Sequence, residues 1–145
     1  QTCSSNQLVA IVTPNHPEAG REKLTYEYLI KYPFICREEG SGTREVISEY
    51  ITELGINSNQ VHLSMELGSP ESIKGAVEAG MGVSIVSLAT IQKELKLGTL
   101  VCLKLVPVLE RPFSFVHQKQ KFRHRAMDEL LEFAQNYCKS HPEAV

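Results

Sequence analysis

The chain has 145 residues, 42% hydrophobic and 22% charged, with a formal net charge of −2. This is the profile of a soluble globular protein, long enough for one ordinary domain or two small lobes. It carries no overall electrostatic footprint for nucleic acid, and no apolar run approaches the roughly 20 residues that cross a bilayer.

In chain order, QLVAIVT (7–13) reads as a buried strand ended by Pro14. A polar loop, NHPEAGREK, leads to LTYEYLIK (24–31), which reads as a short helix, and Pro33 follows it. FICR (34–37) is a short apolar strand. After the small residues EGSG comes a helix over 43–54, with Val46, Ile47, Tyr50, Ile51 and Leu54 on one face. Gly55 is a natural stop. VHLSMEL (61–67) alternates apolar and polar residues, which is strand periodicity. Ser69 then reads as an N-cap, with Pro70 at the first helical position and Glu71 in the first turn. Ile73, Ala76 and Val77 face the core, and Gly80 ends that helix. VSIVS (83–87) is a buried strand, LATIQKELKLG (88–98) a helix, and TLVCLKLV and PFSFVHQ two further strands. The last element is an amphipathic helix over 123–139. Strands alternating with helices predict an α/β fold with a mostly parallel sheet covered on both faces.

The four cysteines, Cys3, Cys36, Cys102 and Cys138, are far apart and form no C-x-x-C pair. Three of them lie among apolar residues, which suits a reducing cytoplasm. The first residues, QTCSSNQLVAIV, have neither the basic start nor the small-residue cleavage site of a signal peptide.

In parallel sheets, ligands bind beyond the carboxyl ends of the strands, where helix N-termini point. Two such starts are marked, at Ser41–Arg44 and at Ser69–Ser72. Each offers free backbone N–H groups, a hydroxyl and partial positive charge. Arg44 is a cation in a helix's first turn, disfavoured by roughly 0.3–1 kcal/mol, so an anion should offset it. Either an adjacent carboxylate (Glu38, Glu39 or Glu45) or a small anionic ligand lying across Ser41, Thr43 and Ser69 would do so. The hydroxyls read equally well as ordinary caps. EGSGTR lacks the ending of a nucleotide P-loop, and GMG (80–82) lacks the third glycine of a dinucleotide fingerprint. No G-x-S-x-G elbow exists, and the five histidines, His16, His62, His117, His124 and His141, are dispersed with no metal-ligand spacing. Each histidine reads as a surface or packing residue. Cys36, next to Arg37, is either an activated thiol or a buried strand cysteine.

The ordered blocks LVAIVTPNHPEA, YPFICREEGSGTR, LGSPESIKGAVEAGMGVSIVS, ELKLGTLVCLKL and RPFSFVHQK resemble the effector-binding domain of LysR-type transcriptional regulators. Within that family the chain is most similar to the branch regulating sulfur or carbon assimilation. The resemblance covers about 8–137. It implies two Rossmann-like lobes of the type II periplasmic-binding-protein kind, with the second lobe complete (33–107) and the first partial (1–32 and 108–145). It also implies that the winged helix-turn-helix domain and the first part of lobe one are absent. By position, the effector-binding residues would be Arg37, Ser41, Gly42, Thr43, Ser69, Pro70 and Glu71, with no cofactor and no metal. Crossovers near 29–33 and 106–111 would form the hinge. The 43–54 and terminal helices would be candidates for pairing in a homodimer or homotetramer.

The function implied is that of a cytoplasmic sensor, not an enzyme. It would bind a small anionic metabolite between the lobes and control promoter DNA through the absent N-terminal domain. Two rivals share the architecture. A transporter's solute-binding protein would need export. An enzyme of the same fold would need an acid–base pair at the helix starts, where Glu71 alone is available.

Overall fold

The computed structural model describes residues 2–114, 116 and 125–141. Along them run β1 (Thr2–Val12), β2 (Lys23–Thr25), α1 (Tyr26–Lys31), β3 (Phe34–Arg37), α2 (Gly42–Glu53), β4 (Leu63–Leu67), α3 (Pro70–Glu78), β5 (Ser84–Ser87), α4 (Gln92–Leu97), β6 (Val101–Ser114) and α5 (Arg125–Ser140). Short 3-10 turns occupy Ser58–Gln60 and Leu88–Ile91.

The chain forms two compact units, 7–109 and 1–6 with 110–145. In the larger unit, β1 explains the layering. Leu8, Ala10 and Val12 point into one apolar layer with Leu29, Ile47 and Tyr50. Val9 and Ile11 point into the other with Ile73, Ala76 and Val77. The strand is buried on both faces, which is why its sequence is a continuous apolar run. β3 and β5 split the same way, with Phe34 and Ile85 on one side and Ile35 and Val86 on the other. Helices α1 and α2 cover the first layer and α3 the second.

The strand order is β2-β6-β1-β5, with β3-β4 as a second pair. β2–β6 and β3–β4 are parallel, and β1–β5 is antiparallel. A parallel bridge, Phe34 to Val83, brings β3 alongside β5. The buried Ser84 hydroxyl donates to the Ile35 carbonyl at 2.7 Å and ties the same two strands.

Several sequence-based expectations change. Residues 7–32 belong to the larger unit, not to a first lobe, because Leu8–Ile11 pair with Ser84–Ser87 and Leu24 with Leu105. The chain therefore passes between the units at 6/7 in place of 29–33, and again at 109/110. The helix expected from Leu24 begins at Tyr26, since Lys23–Thr25 pair with β6 instead. The helix expected over 88–98 is a 3-10 turn followed by α4. There Thr90 Oγ1 donates to the Ser87 carbonyl and Gln92 Nε2 to the Leu88 carbonyl, local bonds that compete with helical ones. The two strands expected over 99–106 and 112–118 are one, β6, from Val101 to Ser114. Pro107, which has no N–H to donate, accepts the Tyr50 hydroxyl at 2.7 Å through its carbonyl. Of the rest of the second strand, Val116 is exposed and lies in no strand, while 115, 117 and 118, like residues 123–124 of the expected terminal helix, lie outside the described residues.

In the smaller unit, α5 carries Leu130, Phe133 and Tyr137 on its exposed surface. Phe133 stacks on Tyr137 and Tyr137 on His141. No helix among the described residues is long and apolar enough to cross a membrane.

Gly82 reveals why the GMG stretch needs its second glycine. A Cβ there would run into the Pro33 carbonyl oxygen, which itself accepts the Val83 N–H at 2.9 Å. Backbone held by the sheet cannot move aside. Gly82→Ala should therefore lower stability by about 1–3 kcal/mol, the cost of overpacking, read as a lower urea midpoint at unchanged m-value.

Candidate functional site

β3, β4 and β5 run the same way, so their carboxyl ends open on one edge of the sheet. Each end leads into a helical start: Arg37 into α2, Leu67 into α3, and Ser87 into the 88–91 turn. At that edge lies a cavity of about 50 Å³. Its walls include three of the sequence-derived residues, the polar Arg37 and Thr43 and the apolar Pro70, together with Ser87 and Thr90. Ile73, Ile85 and Val86 make its apolar base. Ser41, Gly42, Ser69 and Glu71 do not line it.

The remaining sequence-derived residues have local roles. Ser41 is the N-cap of α2, with extended backbone and no side-chain cap bond; its N–H donates to the Glu38 carbonyl at 3.2 Å. Gly42 is the first residue of that helix. Ser69 Oγ accepts the Ser72 N–H at 3.1 Å and lies 2.8 Å from Ser72 Oγ, so this hydroxyl is an ordinary cap. Glu71 is 80% exposed and pairs with Lys74 at 2.9 Å.

The charged groups around the cavity are largely paired internally. Arg37 forks onto Glu38, with Nε to Oε2 at 2.8 Å and Nη2 to Oε1 at 2.9 Å. The hydrogen bond from Arg37 pulls the Glu38 carboxyl down to about 2, with backbone hydrogen bonding adding to it. Arg44 meets neither its neighbouring carboxylates nor the cavity. Its Nη1 sits 2.7 Å from Glu66 Oε2 and donates to the Arg37 carbonyl at 3.1 Å. Glu66 lies on β4 opposite Cys36, a partner that only the strand register could have revealed. Cys36 is the buried strand cysteine: burial pushes its thiol up, and Arg44 offsets this only in part. Its thiol donates to the Arg37 carbonyl at 3.2 Å.

Sequence reasoning missed Ser87, Thr90, Lys74 and Glu94. The first two lie at the end of β5 and in the 3-10 turn after it, not at a capped α-helix start, and Lys74 sits unmarked within an apolar helix face. Its ammonium is buried between Glu71 and Glu94, each at 2.9 Å.

His16 is a packing residue. Its ring meets Tyr32 edge-on at 4.5 Å, and Nδ1 accepts the Glu18 N–H at 3.2 Å. Burial lowers its pKa against the opposing pull of Glu18. It lines a hollow of about 270 Å³ with Thr13, Pro33 and Met81, at the edge of the sheet away from Ser87. Among the described residues, no group of three or more His, Cys, Asp or Glu could hold a metal ion.

Comparison with known proteins gives a consistent picture. A profile of the LysR substrate binding domain matches residues 1–139. The RuBisCO operon transcriptional regulator of Allochromatium vinosum is 40% identical over 129 residues, 88% of this chain and 42% of that protein. The HTH-type transcriptional activator CmpR of Synechocystis sp. is 35% identical over 141 residues, 97% of this chain and 44% of that protein. The chain thus spans less than half the length of these curated relatives. Among solved structures, the regulatory domain of Synechocystis PCC6803 CcmR, in complex with 2-PG, matches with a TM-score of 0.82 at 29% identity, covering 94% of this chain and 65% of that chain. The effector binding domain of QuiR in complex with shikimate shares the fold, with a TM-score of 0.80 at 22% identity, over 97% of this chain and 65% of that chain.

The Arg37–Glu38 fork makes a pH prediction. Because Glu38 is depressed, any stability from the pair is fully present above the ordinary carboxyl range and is lost as pH falls through about 2. Carbon-detected NMR should find the Glu38 carboxyl titrating near pH 2, and moving up towards its ordinary value in Arg37→Met.

Proposed function

Because this chain belongs to the LysR substrate binding domain family, we propose that it senses a small anionic metabolite for a transcription regulator, in the cavity at Arg37, Thr43, Pro70, Ser87 and Thr90. The observation that carries this reading is convergence. Three strand ends, each leading into a helical start, supply walls to one cavity. Helix N-termini present unpaired N–H groups and partial positive charge, which favour an anion.

In this reading the Gly42–Thr43 start of α2 supplies amides and the Thr43 hydroxyl, and Ser87 supplies a second hydroxyl. Ser41 positions the helix start as its N-cap. Ser69 and Glu71 contribute indirectly, Ser69 by capping α3 and Glu71 through Lys74. Pro70 and the isoleucines shape the apolar side. Charge-assisted hydrogen bonds contribute roughly 1.5–3 kcal/mol each. A few of them, less the cost of ordering, give affinities of about micromolar to millimolar, suited to reporting a metabolite's level. The 2-PG complex of CcmR makes an organic anion of that kind the first ligand to try.

In the whole protein we expect the anion to govern promoter DNA binding through an N-terminal helix-turn-helix, in a cytoplasmic homodimer or homotetramer without catalytic turnover. The curated relatives are regulators of transcription, which favours this reading over a transporter's solute-binding protein or an enzyme. The test is a thermal-shift and calorimetric screen of the complete protein against 2-PG, shikimate, phosphate and sulfate. A ligand that binds only the native state raises the melting temperature. Thr43→Val should leave the protein folded and weaken binding about 3- to 10-fold, the loss of one hydrogen bond. Wild-type affinity in that variant would remove the assignment.

A further inference from the structure

Lys74 is a cation that the α3 core face has no apparent reason to hold. Its side chain is only 8% exposed. Nζ lies 2.9 Å from Glu71 Oε1 and 2.9 Å from Glu94 Oε1, and it donates to the Thr90 carbonyl at 3.1 Å. An ammonium has three donors, and all three are engaged. Burial alone would neutralise such a group. For Lys74 burial does pull its pKa down, but the hydrogen bonds to Glu71 and Glu94 reverse the net direction, so it stays charged.

The three bonds do different work. Glu71 lies on the same helix, and water competes for it. Glu94 is 12% exposed, and its Oε2 is buried with no hydrogen-bond partner among the described residues. Glu94 and Thr90 belong to the segment facing α3, which begins with the 88–91 turn. That turn has no side-chain cap at its start. Its other local bonds run from Thr90 Oγ1 and Gln92 Nε2 to the carbonyls of Ser87 and Leu88. The Thr90 carbonyl is where Lys74 attaches. Pro70 and Ile73 form the α3 wall of the anion cavity, and Ser87 and Thr90 form the opposite wall. One buried ammonium thus bridges the two walls.

The apolar contacts beneath, through the fully buried Ile73 and Ile91, hold these walls together but do not set their spacing. Hydrophobic burial is non-directional, whereas a charge-assisted hydrogen bond fixes distance and angle. We propose that Lys74 is a positioning residue for the anion cavity: without touching the ligand, it sets the separation of the α3 wall from the Ser87–Thr90 wall, and so the size of anion accepted. This rests on the effector-binding reading above.

Removing the lysine alone would leave two carboxylates unneutralised beside an anion site. The charge-balanced variant Lys74→Met/Glu94→Gln avoids this, since the changes cancel in net charge, and replacing both members of a buried pair is often close to neutral for stability. In the complete protein, calorimetry with phosphate, shikimate and 2-PG should show the tightest-bound probe weakened about tenfold, as expected for a displacement below 1 Å. The wild-type ratio of affinities between probes of different size should flatten. A general loss of stability would weaken every probe by one factor and leave the ratio intact. An unchanged ratio, or wild-type affinities throughout, therefore overturns the proposal. If the double variant does not fold, Glu94→Gln, which keeps the Lys74–Thr90 contact, takes its place. A smaller shift in the ratio would then uphold the proposal, and the wild-type ratio would overturn it. Absence of binding by wild-type protein to any probe is a separate result: it defeats the effector reading itself.

Discussion

The constraint on which the larger unit depends is the burial of its central strands on both faces. β1, β3 and β5 each divide their side chains between two apolar layers. Neither layer can face water, so helices must cover both sides, α1 and α2 on one and α3 on the other. With β3, β4 and β5 running the same way, every crossover returns a helix start to the same edge. The convergence of Arg37, Thr43, Pro70, Ser87 and Thr90 follows from this layering. It needs no separate arrangement of the site.

What that edge offers a ligand is narrower than its composition suggests. Arg37 is engaged by Glu38, Arg44 by Glu66, Ser69 by Ser72, and Lys74 by Glu71 and Glu94. The Arg37 and Lys74 pairs fix side chains at and behind the cavity's walls, which would limit the ordering that binding imposes. In the proposed site an anion would compete with Glu38 for the Arg37 guanidinium and would draw on the partial positive charge at the start of α2.

The parts legible in the sequence were those encoded locally. FICR, the apolar face of α2 and the Ser69-Pro70 helix start all sit where periodicity and capping rules place them. The parts that were not legible depend on residues far apart in the chain. Whether Leu24 begins a helix or pairs with Leu105 is decided by β6, about 80 residues away in sequence. The partner of Arg44 is fixed by the register that sets Cys36 opposite Glu66. The same holds for the site: the residues at marked helix starts could be named, but Ser87 precedes and Thr90 lies within a 3-10 turn that carries no such signature. Lys74 reads as one more surface lysine until Glu94 is brought beside it.

The antiparallel course of β1 has a consequence for how such a protein can vary. Leu8 pairs with Ser87 near the cavity of Arg37 and Thr43, and Ile11 pairs with Ser84 farther down the sheet. The strand therefore delivers Thr13 and the turn holding His16 to the opposite end of the sheet. Changes at the exposed positions of 13–22 are therefore separated from the edge at Ser87 by the depth of the sheet. An engineered label fits there at the exposed Pro14, Asn15 or Gly20, but not at His16 or the buried Glu18, which both pack on Tyr32.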